Sequence, residues 1–132
     1  METFTAYNPT KLFFGKNSIS NLSKQLPKYG KKALLVLGGK SAKLNGAYSD
    51  VLSQLELAKI DVVEIWGIKP NPRVEDVEKA IALGIAEKVD MIIAIGGGSV
   101  IDSAKMIALC IPSNHQPWKV MKGKEKPTRA LP

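Results

Sequence analysis

The sequence contains one cysteine, Cys110, and one histidine, His115. A single cysteine excludes an internal disulfide and fits a reducing compartment. It falls late in an apolar helical pattern and reads as a core residue. His115 stands in a polar loop and reads as a surface residue. No cluster of Cys, His, Asp or Glu has metal-ligand spacing, so the sequence offers no catalytic metal centre. No apolar run approaches the ~18 residues of a membrane span. The opening METFTAYNPTK has neither the basic start nor the apolar stretch of a secretory signal. A cytoplasmic protein without a membrane partner is expected. Aromatic residues are scarce, at 6%, and are not interleaved with basic ones as in single-strand nucleic-acid binders. The formal charge of +7 is unevenly spread: Lys119, Lys122, Lys124, Lys126 and Arg129 against Glu125 supply +4 of it. That is the pattern of a solvated basic loop, and no nucleic-acid partner is expected.

What is present is about one domain's worth of chain, 132 residues with 45% hydrophobic content and a mean hydropathy of -0.03. Short apolar strands alternate with amphipathic helices. Phe4 to Tyr7 and Leu12 to Phe14 read as a short N-terminal hairpin around Asn8-Pro9. Asn17 or Ser18 caps a helix carrying Ile19, Leu22 and Leu26, stopped by Pro27. The unbroken apolar run Ala33 to Leu37 suits a strand of a parallel sheet covered on both faces. A helix from about Ala47, a strand over Val62 to Trp66, a helix bearing Val74, Val77, Ile81 and Ile85, a strand over Met91 to Ile95 and a helix over Val100 to Ile111 follow. This alternation predicts an α/β, Rossmann-like parallel sheet with flanking helices. Residues 1–112 form the domain, and 113–132 read as an irregular basic connection toward a remainder the chain lacks.

In such sheets ligands bind beyond the carboxyl ends of the strands. Three strand ends carry unusual turns: Gly38-Gly39-Lys40-Ser41, Gly67 through Asn71, and Gly96-Gly97-Gly98-Ser99. Glycine lets backbone N–H groups approach a phosphate without a Cβ between them, and the next helix points its N-terminus at the same place. Ser99 is placed to cap that helix, with Asp102 three residues later as a variant capping box. Taken alone, the triplet serves a capped tight turn as well as it serves a phosphate site, and it is not the G-x-G-x-x-G fingerprint.

The longer string GGGSVIDSAK resembles the GGGSxxDxAK motif of the iron-containing alcohol dehydrogenases. NPTKLFFG, GGKSAKLNG, KPNP and KPTRALP match other parts of that family in order. The resemblance implies an N-terminal dinucleotide-binding domain, with the helical metal-binding domain absent. Gly97, Gly98 and Ser99 would meet the cofactor pyrophosphate, Asp102 would lie near the cofactor, and Asn71 would contact it from the neighbouring loop. The structural alternative for Asn71 is to cap the next helix, with Pro72 at its first position. At the first turn, Gly38 and Gly39 offer no carboxylate, while Ser41, Lys40 and Lys43 could hold a 2'-phosphate, so NADP(H) is expected over NAD(H). The resemblance further implies a small alcohol or aldehyde substrate and iron or zinc, both only in a full-length enzyme, with this part inactive alone. Trp118 departs from the family in being followed by Lys119, and reads as a packing residue. A second copy would pair through the N-terminal hairpin. The rival readings are a stand-alone nucleotide- or phosphate-binding module and a nucleic-acid binder.

Overall fold

A computed structural model describes residues 3–132. A 3-10 turn, Ser18–Asn21, leads into helix α1, Leu22–Gln25, and a second 3-10 turn, Leu26–Lys28. Then come strand β1, Lys32–Leu37, helices α2, Ser41–Leu44, and α3, Ala47–Leu57, and strand β2, Asp61–Ile65. Helix α4, Val74–Ala86, strand β3, Met91–Ile95, helix α5, Gly98–Cys110, and short helix α6, Pro117–Met121, complete the order.

The three strands are parallel in the order β2-β1-β3. Ala33 pairs with Val62 on one side and with Met91 on the other. β1 therefore has neighbours at both edges and helices on both faces, and Ala33, Leu34, Leu35, Val36 and Leu37 are all fully buried. The uninterrupted apolar run is a consequence of that central position. Alternation divides its side chains. Leu34 and Val36 join Val77, Ala80, Ile81 and Ile107 of α4 and α5 in one core. Ala33, Leu35 and Leu37 join Leu26, Val51 and Leu55 in the other. The crossovers β1 to β2 and β2 to β3 travel in opposite directions across the sheet. The right-handed rule sends their helices to opposite faces, which is where α3 and α4 lie. Burying each of these leucines contributes roughly 1.5–3 kcal/mol.

The N-terminal ends of β1 and β3 are tied by one side chain. Asp90 Oδ2 accepts the backbone N–H groups of Lys31 at 2.8 Å and Lys32 at 3.0 Å. Gly30 lies so close that a Cβ there would sit 2.3 Å from that of Asp90, and its φ of +148° adds a second reason for glycine.

Three expectations are corrected. Residues 3–14 contain no strand, so the N-terminal hairpin is not formed. Its turn is present, with Asn8 Oδ1 accepting the Thr10 N–H at 3.0 Å. Phe4, Tyr7, Leu12 and Phe14 remain exposed, and an isolated two-stranded ribbon with no face to bury is marginal in water. The edge expected to pair with a second copy is thus not present as a strand. Ser99 is not the cap of α5: Gly97 is, in an extended conformation, without a side-chain hydrogen bond. The helix starts before Ser99, so the Ser99–Asp102 capping box has no terminus to close. Asn71 does not cap α4 either. Arg73 holds that place, while Asn71 takes a left-handed conformation with φ 56°, which asparagine tolerates better than most residues.

The segment after residue 112 has more order than its composition suggests. It includes α6, and two of its last groups are tied to the body. Leu131 N–H donates to the Ala108 carbonyl at 3.0 Å, and Ile92 N–H on the outer edge of β3 donates to the Pro132 carbonyl at 2.9 Å. Among the described residues no helix is long and apolar enough to cross a membrane.

Candidate functional site

The strand order changes direction between β1 and β3, and the glycine turns leave the carboxyl ends of these two strands. Such a switch point opens a crevice, because the connections from the two strands depart to opposite faces. A cavity of about 210 Å³ lies there, lined by Gly38, Gly39, Ser41, Gly96, Gly97, Gly98 and Ser99, with Ile68, Pro70, Ile95 and Val100 as its apolar wall. It is smaller than the roughly 300–1,000 Å³ that encloses a whole drug-sized ligand, which suits one portion of a longer molecule. The β2 turn is fastened to the same rim: Gly67 N–H donates to the Gly38 carbonyl at 3.1 Å, and Ile68 N–H to that of Leu37 at 3.2 Å.

The glycines of the rim do different things. A Cβ on Gly96 would sit 2.6 Å from Val100 Cγ2, and one on Gly38 would sit 3.0 Å from the same atom. The packing of α5 against the strand ends requires glycine at Gly96 and leaves little room for more at Gly38. Gly97, Gly98 and Gly39 would place a Cβ in open space. Nothing inside the protein demands glycine at those three, and what their lack of side chains preserves is the cavity. The first N–H groups of α5 face it without a capping side chain, so donors and the positive end of the helix dipole converge on an apolar-walled hollow.

The rim thus gathers Gly38, Gly39, Ser41, Gly97, Gly98 and Ser99. Three expected residues are not part of its lining. Asp102 lies one turn into α5, largely exposed, with Lys105 at 3.7 Å. Asn71 is exposed in the loop beyond Pro70. Lys43 extends from α2 over the ring of Trp66 at 4.4 Å and that of Tyr48 at 5.4 Å. The sequence reading overlooked Ile68, Pro70 and Val100. Val100 was legible as the first apolar residue of a helix, yet only the fold sets it against both Gly38 and Gly96.

Beside this rim lies a cluster with no signature in the sequence. Tyr48 donates to Glu64 Oε1 at 2.6 Å, and Trp66 Nε1 donates to Glu64 Oε2 at 2.8 Å. The two rings meet edge to face with centroids 5.1 Å apart. The hydrogen bond to Glu64 raises the Tyr48 pKa above its ordinary value, with burial and the carboxylate's charge acting in the same direction.

The opposite end of the molecule accounts for the lone histidine and cysteine. His115 is not a free surface residue: its Nδ1 lies 3.0 Å from Glu125 Oε2, with the side chain 21% exposed. Glu125 also accepts the Gln116 N–H at 2.8 Å. That backbone donor is the main cause of its lowered pKa; His115 and Lys119 act the same way, while partial desolvation opposes them. Cys110 is fully buried as expected, and desolvation, then the charge of Glu125, pushes its thiol up to about 11. Trp118 is half exposed under the ammonium of Lys122, 4.6 Å away.

A family profile described as iron-containing alcohol dehydrogenase matches residues 9–132. This chain belongs to the iron-containing alcohol dehydrogenase family. Among its relatives in that family, the probable NADH-dependent butanol dehydrogenase 1 of Bacillus subtilis is 43% identical over 132 residues, which make up 100% of this chain and 34% of that protein. The NADPH-dependent aldehyde reductase YqhD of Escherichia coli is 39% identical over 129 residues, 95% of this chain and 33% of that one. The crystal structure of NADH-dependent butanol dehydrogenase A from Thermotoga maritima matches with a TM-score of 0.95 at 38% identity, covering 100% of this chain and 33% of that one. The chain therefore spans about a third of the length of the curated relatives it matches. The family's name carries a metal. Among the described residues, no group of three or more His, Cys, Asp or Glu could hold one, and His115 is committed to Glu125. The residues present do not fit a metal centre.

Proposed function

We propose that this chain is the nicotinamide-dinucleotide-binding part of an alcohol or aldehyde oxidoreductase, and that the glycine rim holds the cofactor pyrophosphate. The observation that carries the reading is the open space above Gly97 and Gly98 at the uncapped start of α5. Backbone N–H groups of Gly98 and Ser99 would hydrogen-bond phosphate oxygens there, and the helix dipole would favour their charge. The bound nicotinamide supplies hydride exchange with a carbon of the substrate. The task of these residues is to hold and orient it, and with no metal donor set among them they are inactive by themselves.

Titration of the protein with NADPH and NADH tests this directly. Gly98→Val is expected to abolish binding of both while leaving the circular dichroism spectrum near native, since the added side chain enters empty space. Unchanged affinity in the folded variant moves the phosphate site elsewhere. Turnover of short alcohols by this chain with added iron or zinc salts would contradict the assignment of orientation alone.

For the choice between dinucleotides we propose NADP(H) over NAD(H). The relatives divide, NADH-dependent for some and NADPH-dependent for others. The support lies in the first turn. Gly39 presents no carboxylate to repel a 2'-phosphate, Ser41 lines the cavity, and each charge-assisted hydrogen bond from Lys40 or Lys43 contributes roughly 1.5–3 kcal/mol before screening. Gly39→Asp is expected to reverse the preference. Equal affinities for the two cofactors, unmoved by that substitution, would remove this turn from the ribose.

A further inference from the structure

We infer that Trp66, Tyr48 and Glu64 form a positioning device that holds the Lys43 ammonium beside the first glycine turn for a phosphate on the cofactor's adenosine ribose. The inference rests on the cofactor reading above and adds to it three residues that neither the sequence motifs nor the cavity lining contains.

The geometry carries it. Lys43 is exposed and sits on the one-turn helix that begins with Ser41, a residue of the cavity wall. A lysine in that situation ordinarily samples many rotamers in water. Here its ammonium lies over two rings, 4.4 Å from Trp66 and 5.4 Å from Tyr48. The rings are fixed in turn. Glu64 accepts a hydrogen bond from each, at 2.6 and 2.8 Å, and Trp66 directly precedes Gly67, whose N–H is bonded to the Gly38 carbonyl. A chain of short contacts thus ties the ammonium to the rim.

The kind of contact decides what the ammonium remains free to do. A carboxylate in an ion pair with Lys43 would neutralise it. The one carboxylate of the cluster is instead occupied by two neutral donors, and Lys43 makes no ion pair among the described residues. An aromatic face attracts a cation through its quadrupole and leaves the net charge intact. The cluster therefore restricts the ammonium without cancelling it. That lowers the entropic cost of recruiting it to an anion, and the anion this rim would receive is a phosphate ester on the ribose.

The test compares NADPH with NADH on the protein by isothermal titration calorimetry. Lys43→Met is expected to weaken NADPH about ten- to hundredfold and to leave NADH within about twofold. Trp66→Leu should weaken NADPH about three- to tenfold, again with NADH little changed. Trp66→Phe retains a ring under the ammonium but gives up the Nε1 bond to Glu64, and should recover part of the NADPH loss with NADH unmoved, a cofactor-selective change that a merely structural role for the indole would not produce. Lys43 is exposed, so its variant folds even where Trp66→Leu does not. Gly98→Val separates the two readings. If it abolishes both cofactors while Lys43→Met leaves the NADPH to NADH ratio unchanged, the positioning device is refuted and the pyrophosphate site stands. A ratio that falls equally in Trp66→Leu and Trp66→Phe also overturns it. Failure of the unaltered protein to bind either cofactor overturns both.

Discussion

Gly96, Gly97 and Gly98 are identical in the sequence, and their neighbours make them unlike one another. Only Gly96 has a partner, Val100, inside the distance at which a Cβ must displace something. Gly96→Ala is expected to lower stability by about 1–3 kcal/mol, the usual cost of forcing extra volume into a packed site. Gly97→Ala should stay within about 0.5 kcal/mol. Chemical denaturation of both variants checks the pair, and equal losses would mean that the whole triplet serves packing. Here the sequence was informative up to a point. It identified the turn at a strand's carboxyl end, where three glycines serve a tight turn as well as a phosphate site, and the longer motif tipped the reading to the rim. It could not divide the triplet, because the deciding contact belongs to a side chain four residues later whose direction depends on where α5 begins. Lys43 presents the same limit: its presence near the turn was legible, and its seat on Trp66 and Tyr48 was not, since the three residues lie on separate elements.

At the scale of elements, the regular strands and helices were the most legible part. β3 spans the expected residues, and α3 begins where the apolar period does. Prediction failed where an element needed something the local pattern lacks. The N-terminal ribbon had suitable strand residues and no surface to pack on. The helix starts shifted by two residues because Gly97, and Arg73, a poor cap by propensity, sit where the chain is already extended. The segment after α5 was underestimated for a related reason. Its order comes from Glu125 gathering Gln116 and His115, contacts nine and ten residues apart. A glutamate pKa lower in the folded state than its ordinary 4.5 contributes stability that is fully present above that ordinary value. The contribution is lost as pH falls through the lower folded one. The melting temperature of the protein should therefore drop, relative to that of Glu125→Gln, as the solution is acidified across this interval. Parallel curves for the two proteins would deprive the carboxylate of that role.

The whole molecule is organised around β1. Its apolar run announced a strand covered on both faces, and the alternation of strands with helices announced a parallel sheet. The order β2-β1-β3 was not readable from the pattern, because periodicity carries no information on which neighbour a strand chooses. Yet that order creates the cavity, by setting Gly38 and Gly39 beside a triplet that arrives some sixty residues later in the chain. A sheet in the order of the sequence would have placed β2 between them.

That pairing also has a kinetic side. Contact between Ala33 and Met91 closes a long loop, and the entropy of that closure must be overcome before the two glycine turns meet. A partly folded chain with β1 and β2 paired has half a rim and no hollow, so a ligand of the rim binds only the completed sheet. Binding of this kind adds to stability by mass action, about 2.7 kcal/mol at a hundred times the dissociation constant. The melting temperature is expected to rise with NADPH concentration and to stay flat in Gly98→Val. The cofactor would then act as the final ratchet on folding, retaining the sheet only after its last strand has docked.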